Sequence, residues 1–212
     1  MNPMSEDYLK KVERYYNAKI HKFGASPKGV DWNSSDSQLV RFSILEKIIE
    51  VTQSFSVADF GCGYGAMYEY LSGNYCHYQY HGYDIAGEMI AAAKSRYCKE
   101  LNASWHQSSV LEHKAFDYVI ASGIFNVKLE NSDDSWLSYL IKTITMMNEA
   151  SINGFAFNCL TCYSDREFMR NDLYYANPLE LFDYCKRSFS RNVSLLHDYN
   201  LYEFTILVRK NA

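Results

Sequence analysis

Val57-Ala58-Asp59-Phe60-Gly61-Cys62-Gly63-Tyr64-Gly65-Ala66 is the stretch from which the rest of the chain can be read. It describes a strand running into a glycine-rich turn and then a helix. With no Cβ at Gly61, Gly63 or Gly65, the backbone can bend tightly and come close to a bound ligand, and the N–H groups that open the helix face that ligand. The spacing Gly61-x-Gly63-x-x-Ala66 satisfies the dinucleotide fingerprint, which by itself indicates a nucleotide-type ligand without naming it. Two details narrow the reading: Asp59 ends the strand two positions before the first glycine, and Gly65 adds a further glycine to the turn.

The run Asp59-x-Gly61-x-Gly63-x-Gly65 resembles the first motif of the class I S-adenosylmethionine-dependent methyltransferases. In that family the loop lies under the methionine part of the cofactor, so the resemblance implies S-adenosylmethionine as cofactor and these four residues as binding positions. It covers roughly residues 36 to 210. It implies an α/β Rossmann-like fold: a seven-stranded, mostly parallel sheet with a C-terminal antiparallel hairpin and helices on both faces.

A length of 212 residues fits one domain, with an N-terminal helix and connection over 1–35 and the core over 36–212. Hydrophobic content of 48% and charged content of 22% are those of an ordinary soluble protein. The acidic start argues against a signal peptide and no segment approaches a membrane span, so the expected location is the cytoplasm. A net charge of -4 with no Lys/Arg block offers no footprint for nucleic acid. The expected partner is a small-molecule substrate, and the oligomeric state is left open. The six cysteines read as reduced thiols. Cys159-x-x-Cys162 has no second pair at metal-site spacing, and no metal site is expected.

In chain order, Ser5 can cap a first helix whose inner face is Tyr8, Val12, Tyr15, Tyr16 and Ile20. His21 to Ser35 lacks periodicity and reads as a loop, either an irregular connection or a lid that brings Trp32 to the substrate. A second helix begins near Asp36 with Leu39, Phe42, Leu45 and Ile49 facing inward. Arg41 lies on it, 18 residues before Asp59. A similar offset in ubiquinone-biosynthesis O-methyltransferases implies that Arg41 grips the cofactor's carboxylate.

Tyr78 to Asp84 reads as the second strand, and Asp84 at its end offers two oxygens in one plane for the hydroxyls of a ribose. Ile85 would lie against the adenine. A helix from Gly87 to Leu101 leads to a short third strand, Ala103 to Gln107. Here the family usually carries Gly-Asp, whereas this chain has Ser108-Ser109-Val110; Ser109, with Val110 beside it, takes over the adenine contact in this reading. The fourth strand, Ala115 to Ala121, ends in Ser122-Gly123-Ile124-Phe125-Asn126. That end faces the crevice and supplies Ser122 to the cofactor and Phe125 and Asn126 to the substrate. The Asp/Asn-Pro-Pro-aromatic run of amino-group methyltransferases is absent there.

Ser135 to Ala150 reads as a helix carrying Trp136, Leu140, Ile144 and Met147 toward the sheet, and Asn153-Gly154 as a turn into the fifth strand, Phe155 to Leu160. The polar, aromatic stretch from Thr161 to Ala176 follows, with Tyr163, Tyr174 and Tyr175 as candidates for the substrate pocket. Asn177-Pro178 opens a further helix. Val193 to His197 and Leu201 to Val208 close the chain as a hairpin.

These features predict methyl transfer to a small acceptor, most simply at a carboxylate or hydroxyl oxygen, with His21 as the base a hydroxyl would call for. Two alternatives stand beside it: a binding module that holds S-adenosylmethionine without turnover, and an NAD-dependent oxidoreductase. The second needs a catalytic pair that the chain does not offer at a convincing spacing.

Overall fold

The computed structural model describes residues 4–32, 34–50, 54–111 and 115–210. The strands are β1 Phe55–Phe60, β2 Tyr78–Asp84, β3 Ala103–Gln107, β4 Phe116–Ala121, β5 Ser151–Leu160, β6 Asn192–Leu196 and β7 Glu203–Arg209. They form one sheet in the order β3-β2-β1-β4-β5-β7-β6. β7 is antiparallel to both its neighbours, and every other pairing is parallel. The order reverses between β1 and β4, which opens a crevice at the carboxyl ends of these strands. The helices are α1 Met4–Phe23, α2 Ser35–Leu45, α3 Ala66–Asn74, α4 Gly87–Arg96, α5 Asp133–Ala150 and α6 Pro178–Ser188.

Alternation along the strands sends consecutive residues to opposite faces, and each face has its own core. Val119, Phe155 and Phe157 meet Trp136, Leu140, Ile144 and Met147 of α5 and Leu181 of α6. Val57, Ile120 and Ala156 meet Phe42 and Leu45 of α2, Met67 and Leu71 of α3, and Ile90 of α4. Caps follow the side chains expected of them: Ser34, Ser132 and Asn177 each accept a backbone N–H at the start of α2, α5 and α6.

Several sequence expectations shift. α1 continues through Phe23, so His21 belongs to its last turn and not to a loop; the Ser5 cap falls outside the described side chains. Leu39 is 49% exposed, and the inner face of α2 is Gln38, Arg41, Phe42, Ile44 and Leu45. Asn153-Gly154 is no turn, because β5 follows α5 directly and runs through both residues. Gly154 is needed there for space: a Cβ would stand 2.3 Å from the carbonyl oxygen of Val208 on β7.

Trp136 is 1% exposed, and its indole N–H donates to the Phe125 carbonyl at 2.8 Å. Trp136→Ala is expected to lower unfolding stability by about 3–5 kcal/mol, read from the urea midpoint at unchanged slope.

Candidate functional site

A cavity of about 770 Å³ opens at the carboxyl ends of β1, β2 and β4 and is covered by α1 and the strap that follows it. Its floor is the glycine loop. The N–H groups of Gly61 and Cys62 both donate to the Tyr83 carbonyl, at 2.7 and 3.0 Å, which pins the loop to the end of β2. Gly61, Gly63 and Gly65 have φ of 85, 54 and 87°, in the left-handed region that favours glycine. Side chains would also collide: a Cβ on Gly61 would lie 2.1 Å from Ile124 and one on Gly65 2.5 Å from Trp105.

Asp84 holds this floor from the side. Its Oδ2 accepts the Gly63 N–H at 2.9 Å and its Oδ1 the Ala86 N–H at 2.8 Å. A carboxylate has about four acceptor sites, so roughly two remain for hydroxyls in the cavity. Burial pushes its pKa up to about 6, against the opposing pull of the backbone N–H donors. Asp59 is 2% exposed; the Tyr80 hydroxyl donates to its Oδ2 at 2.5 Å, while its Oδ1 is buried without a partner on the cavity wall. Burial raises it to about 7, the Tyr80 bond working against the shift and the Asp84 charge adding to it. Ile85, Ser109 and Ser122 also line the cavity, and the buried Ser122 hydroxyl lacks a partner. Val110 is 54% exposed and outside the wall; Ser108 lines it instead.

Arg41 departs from its expected role. Its Nε and Nη2 donate to the two oxygens of Glu203 at 2.8 and 2.7 Å, and Nη1 donates to the Ser37 carbonyl at 2.7 Å. The fork that would grip a ligand carboxylate is therefore occupied by a carboxylate of β7 that is itself 1% exposed. Asn158 extends the network, donating to Glu203 at 2.5 Å and accepting the Gly123 N–H at 2.7 Å. Trp32 lies on top, its ring centroid 4.0 Å from the Arg41 guanidinium carbon, and packs over Gly123. Glu203 and Asn158 were missed in the sequence reading, although an acid opening the run Phe204-Thr205-Ile206-Leu207-Val208 signals a buried charge in need of a partner.

Of the residues expected at the substrate, Trp32 and Asn126 line the cavity. Phe125 does not: it is fully buried, edge-on to Phe157. Tyr163 is 62% exposed and Tyr174 faces the core, whereas Phe168, Tyr175 and Tyr202 reach the cavity. His21 is exposed at the end of α1 and outside the cavity, since the unbroken helix carries it outward. None of the described histidines lines the wall. Cys159 is buried, Cys162 is exposed and both are free thiols. No cluster of metal-ligating side chains occurs among the described residues, nor is any described helix long and apolar enough to cross a membrane.

A parallel sheet reversing at β1 and β4, closed by an antiparallel β7 and carrying a glycine loop beside a strand-end acid, defines a Rossmann-like methyltransferase fold. Residues 57–143 match the family model described as a methyltransferase domain. "Putative methyltransferase Rv1506c" of Mycobacterium tuberculosis H37Rv is 49% identical over 164 residues, 77% of this chain and 98% of that protein. The chain belongs to the class I S-adenosylmethionine-dependent methyltransferases. Among solved structures, the magnesium protoporphyrin IX methyltransferase of Synechocystis PCC 6803 with bound cofactor gives a TM-score of 0.64 at 12% identity, covering 100% of both chains. A SAM-dependent methyltransferase from Aquifex aeolicus gives 0.63 at 15%, covering 92% of this chain and 98% of that one. At these identities the likeness is one of fold. The cofactor is S-adenosylmethionine, and the site suits it: a floor without Cβ atoms, an acid with acceptor capacity to spare, and a buried carboxyl oxygen awaiting a donor.

Removing one partner of the Arg41–Glu203 pair strands a buried charge. Arg41→Met should cost about 3–5 kcal/mol of unfolding stability, and adding Glu203→Leu should restore most of it, as measured by urea denaturation.

Proposed function

We propose that this enzyme transfers a methyl group from S-adenosylmethionine to an oxygen of a small-molecule acceptor, with a carboxylate as the form best matched to the site. The observation that carries this reading is the cavity wall, which brings Asp59 and Asp84 together with Trp32, Phe168, Tyr175 and Tyr202 and holds no described histidine. Bound cofactor supplies a methyl group already made electrophilic by its sulfonium. The protein's part is then to align the acceptor and exclude water, for which placement can supply about 7–11 kcal/mol.

In this reading Asp84 accepts the ribose hydroxyls with the acceptor sites its backbone partners leave open, and Ile85 packs on the adenine beside Ser109. The free Oδ1 of Asp59 accepts from the amino group of the methionine part, while Gly61 and Gly63 let that part rest on the backbone. Trp32 and Asn126 border the acceptor together with Tyr175, Phe168 and Tyr202. A carboxylate acceptor is ionised at neutral pH and needs no base, which fits a wall without a described histidine better than a hydroxyl does.

Saturation with S-adenosylhomocysteine at ~100 times its dissociation constant should add about 2.7 kcal/mol, seen as a melting shift of several degrees; NAD should give none, and Asp84→Ala should remove the response. Asp59 holds its proton in the fold up to about pH 7, far above the ordinary carboxylate value. The unliganded protein therefore loses stability as pH rises through that window, because the folded state binds more protons there than the unfolded chain. Asp59→Asn should remove the upper part of this pH dependence in thermal melts, leaving the share that Asp84, raised to about 6, adds below it, while weakening cofactor affinity at pH 8. For the chemistry, extract incubated with methyl-labelled cofactor should yield a product whose label is released as methanol by mild alkali, in the presence or absence of a chelator. Label fixed on nitrogen or carbon would overturn transfer to oxygen, and an alkali-stable ether would replace the carboxylate by a hydroxyl.

A further inference from the structure

With Arg41 committed to Glu203, the carboxylate of the cofactor's methionine part needs another cation. Four basic side chains line the cavity: Lys19, Lys28, Arg41 and Arg170. Three are neutralised by acids, Lys19 by Asp31, Arg41 by Glu203 and Arg170 by Asp172. Lys28 is exposed, and among the described residues its ammonium has no acidic partner.

Its position is set by the strap between α1 and α2, a short 3-10 helix, Pro27–Val30, followed by Asp31 and Trp32. The Gly29 N–H donates to Ser26 and the Trp32 N–H to Pro27, both at 2.9 Å, which fixes the turn. Gly29 is pressed on the end of α1 so closely that a Cβ would stand 2.3 Å from the Gly24 carbonyl oxygen. Two residues past Lys28, a methyl of Val30 lies 3.1 Å from where a Cβ of Gly63 would be, and Trp32 covers Gly123 at the end of β4. The strap thus crosses directly above the glycine loop, over the part of the cavity where the methionine end belongs. The opposite wall there carries the unpartnered Oδ1 of Asp59, an acceptor for an ammonium that offers a carboxylate no counter-charge.

We infer that Lys28 is the cation that holds the carboxylate of S-adenosylmethionine, opposite Asp59 at the amino group. The inference rests on the assignment of this cavity to that cofactor. The two ends of the zwitterion are then met from two sides, one by the sheet and one by the strap, so that binding the amino acid part ties the strap down over the loop.

Calorimetry with two ligands tests this. S-adenosylhomocysteine carries the carboxylate, and 5′-methylthioadenosine keeps the nucleoside and sulfur but lacks it. Lys28→Met should weaken S-adenosylhomocysteine at least about tenfold, leave 5′-methylthioadenosine unchanged and leave the unliganded melting temperature where it was. Lys28→Arg should retain most of the affinity. Unsubstituted affinity for S-adenosylhomocysteine in Lys28→Met would overturn the inference and return the carboxylate to the remaining N–H groups of Arg41. Equal weakening of both ligands would also overturn it, since Lys28 would then act through the shape of the strap. Failure of the unsubstituted protein to bind either ligand would remove the cofactor assignment and this inference with it.

Discussion

The site depends on how the end of β2 restrains the loop after β1. The Tyr83 carbonyl takes two N–H groups of that loop and the Asp84 carboxylate takes a third, so residues 61 to 63 are held at three points by one neighbouring strand. The geometry is open only to glycine at Gly61 and Gly65, where both φ and the space allowed exclude a side chain. The same carboxylate that fixes the floor also lines the cavity, so an Asp84 variant disturbs the loop together with the wall.

Charge in the cavity is arranged so that most of it is already spent. The Arg41–Glu203 pair joins α2 to β7 and, through Asn158, ends on the N–H of Gly123 at the crevice. Such a buried pair adds little net stability, but breaking it is costly, which makes it a rigid brace for the end of β4. Trp32 stacks on that brace, so the strap above the loop is referenced to the sheet below it. What remains unneutralised among the described lining residues is acidic on the sheet side, Asp59 and Asp84, and basic on the strap side, Lys28. A cationic sulfonium with a zwitterionic tail complements that pattern.

Much of this was legible in the sequence because the parallel strands are short runs, apolar in β1 and β4 and alternating aromatic with polar in β2, with abrupt ends. Tyr78–Asp84 and Ala103–Gln107 form strands at the expected limits, and Asp59, Asp84, Gly61 and Gly63 meet at one cavity, while Gly65 of the same turn is packed against Trp105 and Tyr97 outside its wall. Periodicity failed where buried residues are polar. Gln38 and Arg41 are buried on α2 beside Phe42, a face that a pattern of apolar residues does not reveal, and the sequence reading put the exposed Leu39 inside in their place. The partner that buries Arg41 stands 162 positions away on β7, beyond the reach of any local pattern. His21 was misplaced because the glycine and proline after it suggested an earlier helix end than Phe23. The aromatic wall could not be resolved into individual residues, since with nineteen tyrosines in the chain composition alone did not separate Tyr175 at the cavity from Tyr163 in solvent.

The most direct test of the account is a crystal structure of the protein grown with S-adenosylhomocysteine. The account predicts density for the whole ligand in this cavity, its ribose hydroxyls on Asp84 and its amino acid end above Gly61 and Gly63, beneath the strap that carries Lys28 and Trp32. Ligand bound elsewhere, or seated here with its ribose away from Asp84, would contradict it.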